Sequence, residues 1–379
     1  MENKQTLISI YANPLTETNA SRLEKILKTL GKSGIFDKTY ILCEHQDHQK
    51  KAVELFPNVF TKRIPSPFKQ KGPLFTSLVN SMHWLFRIIL WSLFKKIYTV
   101  NFIGPLELVL LPYFKILKKS NIYYYANDIP TQNRIGGIKE SVYSFIESVF
   151  LKYCDGIIVV SDGIKKWYEK EYNISNVHTI WTALLDRELI NSHKNKFEIE
   201  SISDDSLVFG YIGTFNTGRS LENLLEIFTN IDENKHLVLG GYGELEELIK
   251  RKAKNNKNIH YIGPIPWGKI ISFTNTIDIG LVMLENVSLN YYYALPTKFF
   301  EYLATGNPVI ASNFPDMGGI VDRYNSGWKV NPTKKELQEL IKNISRENYD
   351  TKKNNATKNK NLFTWPKQKS NLLKIYEKN

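Results

Sequence analysis

The chain reads as an α/β protein made of two parallel-sheet domains in tandem. Three observations lead there. Its 379 residues exceed what one ordinary core encloses. Short apolar runs alternate with helical periodicity from end to end, as strands joined by crossover helices do. The alternation breaks once, at 186–206, a polar stretch rich in charged, Asn and Ser residues. Two such units imply a cleft with ligands at the carboxyl ends of the strands.

In the first domain, 1–185, the apolar runs at 7–11, 39–42, 97–102, 121–126, 156–161 and 177–181 predict strands. Between them, Leu23, Ile26, Leu27 and Leu30 fall at helical spacing, and 141–153 and 164–172 do likewise. Residues 186–206 form the predicted linker. In the second domain, 207–350, strands are expected at 207–212, 237–240, 259–262, 277–283 and 309–312, with helices at 221–228, 245–253, 267–273 and 297–305. A Lys- and Asn-rich patch at 352–361 precedes a last helix within 362–379.

Lys and Arg number 50 against 38 Asp and Glu, a net charge of +12 that favours an anionic partner. No acid occurs from 55 to 106. There Lys62, Arg63, Lys69, Lys71, Arg87, Lys95 and Lys96 interleave with Phe68, Phe75, Trp84, Phe86, Trp91 and Phe94. Two readings fit: contact with an anionic bilayer surface through 62–96, or a buried helix with basic residues at its solvent ends. Nucleic acid is not expected, since no recognition-helix, zinc-finger or RNP pattern occurs.

Cys43 and Cys154, far apart in apolar surroundings, read as reduced buried residues. No His cluster, Cys pair or Asp-x-Asp suggests a metal site. The N-terminus lacks the pattern of a signal peptide, and no window reaches the roughly 18 apolar residues of a spanning helix. A cytoplasmic protein, free or peripheral on the inner membrane face, is the expectation.

The most informative segment is Leu295 Pro296 Thr297 Lys298 Phe299 Phe300 Glu301 Tyr302, followed by Gly306 Asn307 Pro308 Val309 Ile310. Pro296 and Thr297 open a helix, Lys298 and Glu301 lie three apart on one face, and Gly306 with Pro308 ends it before a buried strand. Free amides and the dipole at such a start favour an anion. An ordinary surface Lys–Glu pair would have the same spacing. Upstream, Gly213 follows a strand and Arg219 opens the next helix. Gly241 and Gly243 form a second glycine turn, and Pro264 lies in a third, 261–267.

This segment and the order of elements around it resemble the nucleotide-sugar site of the retaining family-4 glycosyltransferases of GT-B fold, in the branch reading Pro-x-Lys-x-x-Glu-Tyr. The resemblance is strong over 207–330 and diffuse before it. It implies two Rossmann-like domains whose parallel sheets face across a cleft, with an acceptor-side first domain onto which the last helix crosses back. It implies that Glu301 binds the donor ribose and that Lys298, with the turn of Leu295, Pro296 and Thr297, lies against the diphosphate. Gly213 and Arg219 would close over the phosphates, with Gly241, Gly243 and Pro264 on the nucleotide side. Tyr293 stands where many members carry an acid near the reacting carbon. Asn127 and Asp128 fall where relatives show a His and an acid; Asp128 either orients an acceptor hydroxyl or caps the next loop. Ser161 and the loop 13–19 would line the cleft, and Arg22 would bind either a carboxylate or a ligand.

The activity implied is transfer of a sugar, with retention, from a nucleoside diphosphate donor to a saccharide or lipid-linked saccharide. No cofactor or metal is expected, because Arg219 and Lys298 supply the charge. The Lys-, Asn- and Ile-rich composition fits bacterial assembly of capsule, lipopolysaccharide or exopolysaccharide. A catalytically silent subunit that binds nucleotide or a partner is the alternative.

Overall fold

The computed structural model describes residues 5–11, 21–44, 52–65, 67, 74–129, 138–192, 195–199, 202–203, 205–232 and 234–377. The expected loop 13–19, together with Phe68, Lys69 and Lys71, lies outside them. The chain divides into two units, Met1–Ile180 with Lys369–Asn379, and Trp181–Gln368.

The first unit carries an eight-stranded sheet: β1 (Thr6–Tyr11), β2 (Lys38–Glu44), β3 (Ala52–Phe56), β4 (Val59–Ile64), β5 (Thr99–Phe102), β6 (Asn121–Ala126), β7 (Gly156–Val159) and β8 (Val177–Thr179). Their order across the sheet is β3-β4-β2-β1-β5-β6-β7-β8. Every pairing is parallel except β3 with β4. That antiparallel hairpin at one edge is absent from the sequence reading, because Glu54 interrupts β3 and Thr61, Lys62 and Arg63 interrupt β4, so neither holds the apolar run that marked the other strands.

The connections β4 to β5, β5 to β6, β6 to β7 and β7 to β8 all step toward the β8 edge. Right-handed crossovers therefore put helix Leu74–Ser92, the turns at Leu106–Leu110 and Tyr113–Leu117, helix Ile138–Phe150 and helix Asp162–Glu171 on one face. Alternation along β6 confirms it. Tyr124 donates to Glu147 on Ile138–Phe150 at 2.6 Å, while Tyr123 and Tyr125 point the other way, to Ile375 O and the Tyr376 hydroxyl at 3.2 and 2.7 Å.

The second unit is a six-stranded, all-parallel sheet: β9 (Leu207–Thr214), β10 (Lys235–Tyr242), β11 (Ile259–Tyr261), β12 (Ile279–Val282), β13 (Val309–Ser312) and β14 (Gly327–Val330), in the order β11-β10-β9-β12-β13-β14. Alternate strand residues feed two cores. Val208, Val282 and Ala311 pack on one face with helix Thr297–Ala304; Phe209, Leu281 and Ile310 pack on the other with Leu221–Thr229 and Lys334–Asn343.

Two boundaries depart from expectation. The division falls at Ile180/Trp181, and the stretch read as a linker packs on the second unit, where Leu189, Ile190, Phe197, Ile199 and Ile202 lie against its core. Their irregular spacing hid them. The polar patch at 352–361 is mostly helix, Arg346–Asn359, begun by a capping box at Ser345 and anchored by buried Tyr349 and Ala356. Among the described residues no helix is long and apolar enough to cross a membrane.

Candidate active site

The site is assembled at the carboxyl end of β9. Helix Thr297–Ala304 is fixed there by Tyr302, whose ring packs where Gly280 has no side chain and whose hydroxyl accepts from Ile212 N at 3.0 Å. Thr182 ties down the preceding turn by donating to Leu295 O at 2.8 Å. No side chain caps the helix start at Pro296; the Phe299 amide donates to Pro296 O at 3.0 Å, which leaves those of Thr297 and Lys298 for a ligand. Gly306, in the left-handed region at φ +82°, ends the helix as its residue type predicts.

This anchoring sets Lys298 and Glu301 beside the β9 loop. Lys298 Nζ lies 3.5 Å from the Tyr211 ring centroid, and a Cβ on Gly213 would sit 3.2 Å from it. Gly213 and Gly241, at φ +129° and +151°, let the ends of β9 and β10 meet backbone to backbone. A Cβ on Gly241 would lie 1.8 Å from Gly213 O. Gly243 packs in turn on the backbone of Phe215, and Gly241 N donates to Gly263 O at 2.9 Å beside exposed Pro264. The sequence-predicted glycine turns and the Pro-x-Lys segment thus converge on one end of one sheet.

Arg219 reaches the same place from the loop after β9. Its guanidinium stands 5.8 Å from the Tyr291 ring and beside the Tyr211 hydroxyl, and its Nε is buried without a hydrogen bond. The loop is clamped: Ser220, itself left-handed, donates to Glu285 at 3.1 Å, Glu285 N donates to Gly218 O at 3.0 Å, and Thr217 N donates to Glu244. Tyr293 closes the short helix Leu289–Tyr292, its ring 5.1 Å from that of Tyr292.

The electrostatics are out of balance. Burial, and then the Arg219 charge, push the Lys298 ammonium well below its ordinary pKa, with Glu301 opposing. Burial raises the Glu301 carboxyl to about 7, with Lys298 opposing. Glu301 is 5% exposed, and no hydrogen bond to its carboxylate occurs among the described residues. Two cations held close, with one carboxylate between them in charge and no hydrogen-bond partner for it, are costly in isolation. An anion matched to the cations and a hydroxyl donor matched to the carboxylate would relieve both.

In the first unit, Asn127 and Asp128 are exposed just after β6. Arg22 donates to Asn127 Oδ1 and to Ile180 O, the latter at 3.2 Å, so it hydrogen-bonds an amide and a backbone carbonyl, with the Asp128 charge nearby. Ser161, expected to line a ligand cleft, is fully buried and caps helix Asp162–Glu171 through Ile164 N at 3.2 Å. Cys43 and Cys154 are buried, and neither is in a disulfide. Among the described residues no group of three His, Cys, Asp or Glu could hold a metal.

Sequence reasoning missed Tyr211 and Tyr291, which flank the cations, and Glu244 and Glu285, which hold the loop. Tyr211 lies inside an apolar strand run, and only the register of β9 against the helix reveals its role.

Two tandem Rossmann-like units with these sheets define the GT-B fold. The fold agrees with solved structures: sucrose-phosphate synthase from Thermosynechococcus elongatus (TM-score 0.77, 14% identity, 99% of each chain) and Anabaena HepE in complex with UDP (TM-score 0.69, 12% identity, 99% of this chain and 98% of that one). Residues 192–362 match the family model "Glycosyl transferases group 1". A curated relative, the putative teichuronic acid biosynthesis glycosyltransferase TuaH of Bacillus subtilis, is 22% identical over 195 residues, 51% of this chain and 49% of that protein. The alignment thus spans about half the length of that relative.

Proposed function

We propose that this protein is a retaining, metal-independent glycosyltransferase that moves a sugar from a nucleoside diphosphate donor to an acceptor hydroxyl in the assembly of bacterial surface polysaccharide. The observation that carries the reading is the unbalanced cluster of Arg219, Lys298 and Glu301 at an uncapped helix start. A leaving diphosphate supplies the missing negative charge, held by the two cations and the first-turn amides. A ribose supplies two hydroxyl donors for Glu301. The group-1 match over the same residues supports this reading, as do the UDP and UDP-glucose complexes of HepE.

In this mechanism the acceptor attacks from the face the diphosphate leaves, and the departing phosphate oxygen takes the acceptor proton. No side-chain base is required. Tyr293 adjoins the donor sugar, and Asn127 and Asp128 orient the acceptor, a saccharide or lipid-linked saccharide at the membrane surface. The cytoplasmic face is the corresponding location. A silent nucleotide-binding subunit is the second reading, favoured by Tyr293 in place of an acid.

The test is transfer of labelled sugar from UDP-, GDP- and ADP-sugars to bacterial lipid extract in excess EDTA, with the product anomer read by NMR. Labelled lipid of retained configuration is expected. Nucleotide binding without transfer or donor hydrolysis would select the silent subunit, and an inverted anomer would overturn the mechanism.

A further inference from the structure

In the first unit, three successive segments return to the amino edge of the sheet, and each presents the same pair of features. The first, between helix Leu74–Ser92 and β5, exposes Leu93 and Phe94, the latter 95% accessible, followed by Lys95 and Lys96. The second, entering β6, exposes Ile116 and Leu117 and then, past half-buried Lys118, Lys119. The third, entering β7, exposes Val149 and Tyr153 on either side of Lys152. Ordinary surface loops expose apolar residues singly; three neighbouring loops doing so together form a patch.

The segments touch. Lys118 Nζ donates to Leu93 O and Lys95 O at 2.5 and 3.2 Å, Ser92 and Tyr113 share a hydrogen bond of 3.0 Å, and Lys115 pairs with Asp155 at 2.5 Å beside the third return. The apolar surface continues up the two helices of this layer. Met82, Phe86 and Leu90 stand four apart on Leu74–Ser92, and Val142, Phe145 and Val149 at the same kind of spacing on Ile138–Phe150, all exposed.

The lysines lie against rings at the patch edge: Lys95 on Trp91 at 4.7 Å, Lys96 on Tyr98 at 4.9 Å, Lys118 on Tyr113 at 5.8 Å and Lys152 on Tyr153 at 5.1 Å. Within 82–96, 111–119 and 142–153 the single acid is Glu147, fully buried beneath the hydroxyls of Tyr124, Tyr168 and Tyr172. Every exposed charge of these stretches is therefore positive.

We infer that this composite surface docks on an anionic lipid bilayer. Phe94, Ile116, Leu117 and Phe145 enter the headgroup boundary, and Arg87, Lys95, Lys96, Lys119 and Lys152 face lipid phosphates. A protein groove would need acids to match the cations and a concave complement to three apolar tips; a bilayer supplies both charge and depth without either. The inference redraws the 62–96 surface expected from sequence. Lys62 and Arg63 lie on β4 at the far side of the sheet order, while 116–119 and 142–153, which that reading left out, belong. It deepens the membrane-facing part of the proposed function and rests on that reading only for its purpose, since the surface lies on the first unit and the donor cluster on the second.

Flotation of the full-length protein with vesicles tests it. Vesicles of phosphatidylcholine with one-third phosphatidylglycerol should bind at least roughly tenfold more protein than pure phosphatidylcholine, and binding should fall as salt rises from about 50 to about 300 mM. The surface substitution Phe94→Ser combined with Phe145→Ser, and separately Lys95→Glu with Lys119→Glu and Lys152→Glu, should each cut binding roughly tenfold or more. Nucleotide titration of the same variants reports folding and the donor site independently. Equal binding to both vesicles, no binding by the parent, or a dimer that Phe94→Ser dissolves would overturn the inference.

Discussion

Glu301 shows how a single residue can oppose stability and serve a site. Its carboxyl is raised from 4.5 to about 7 in the folded protein, so the folded state disfavours its charge. The sign follows: stability is lost as pH climbs from the unfolded value near 4.5 through about 7. Glu301→Gln removes that loss, and its melting temperature should exceed the parent's at pH 8 but scarcely differ at pH 4. The binding trend runs the other way. If the carboxylate accepts ribose hydroxyls, nucleoside diphosphate affinity in the parent should rise up to about tenfold per pH unit below the folded pKa and flatten above it. The Gln variant should show no such rise. Titrations at pH 6, 7 and 8 read this directly, and a pH-independent parent would remove Glu301 from the site.

At the scale of elements, the site depends on close approach of strand ends. Gly241 allows β10 to pass Gly213 O at a distance no side chain tolerates, and its φ of +151° adds to the demand. Gly241→Ala should destabilise the second unit by about 1–3 kcal/mol, read as a lowered urea midpoint, and should weaken nucleotide binding because Lys298 Nζ lies against Gly213. What was legible here follows from strong local signals. Helix Thr297–Ala304 announced itself by Pro296 and Gly306, and strands such as β6 and β13 by unbroken apolar runs. The β3–β4 hairpin and β14 did not, because Glu54 in β3, Thr61 to Arg63 in β4 and Lys329 in β14 break their apolar runs. Tyr211 was hidden for a different reason: its contact with Lys298 joins residues 87 apart along the chain and depends on packing, not on spacing.

For the whole molecule, the alternation of strand and helix predicted two sheets, and the GT-B fold shared with sucrose-phosphate synthase bears that out. The division between the units was less legible. Composition marks polar stretches, but Leu189, Phe197 and Ile202 show that a polar stretch can still be stitched to a core by a few irregular apolar residues. Charge was legible as an excess and not as a location. Only the returns to the amino edge of the first sheet bring Phe94, Leu117 and Lys152 into one surface. The two units therefore carry separable properties in this account, an anion-seeking cluster in the second and a basic, apolar face in the first.

The proposed function stands or falls on nucleoside diphosphate binding by the second unit through Glu301 and its neighbouring cations. Calorimetric titration of the full-length protein with UDP, GDP, ADP and CMP, without metal, tests it most directly beside Glu301→Ala. One diphosphate should bind, and the variant should lose at least roughly tenfold in affinity, as removal of a charged hydrogen-bond acceptor entails. Absence of binding to any nucleotide, or equal binding by parent and variant, would contradict it.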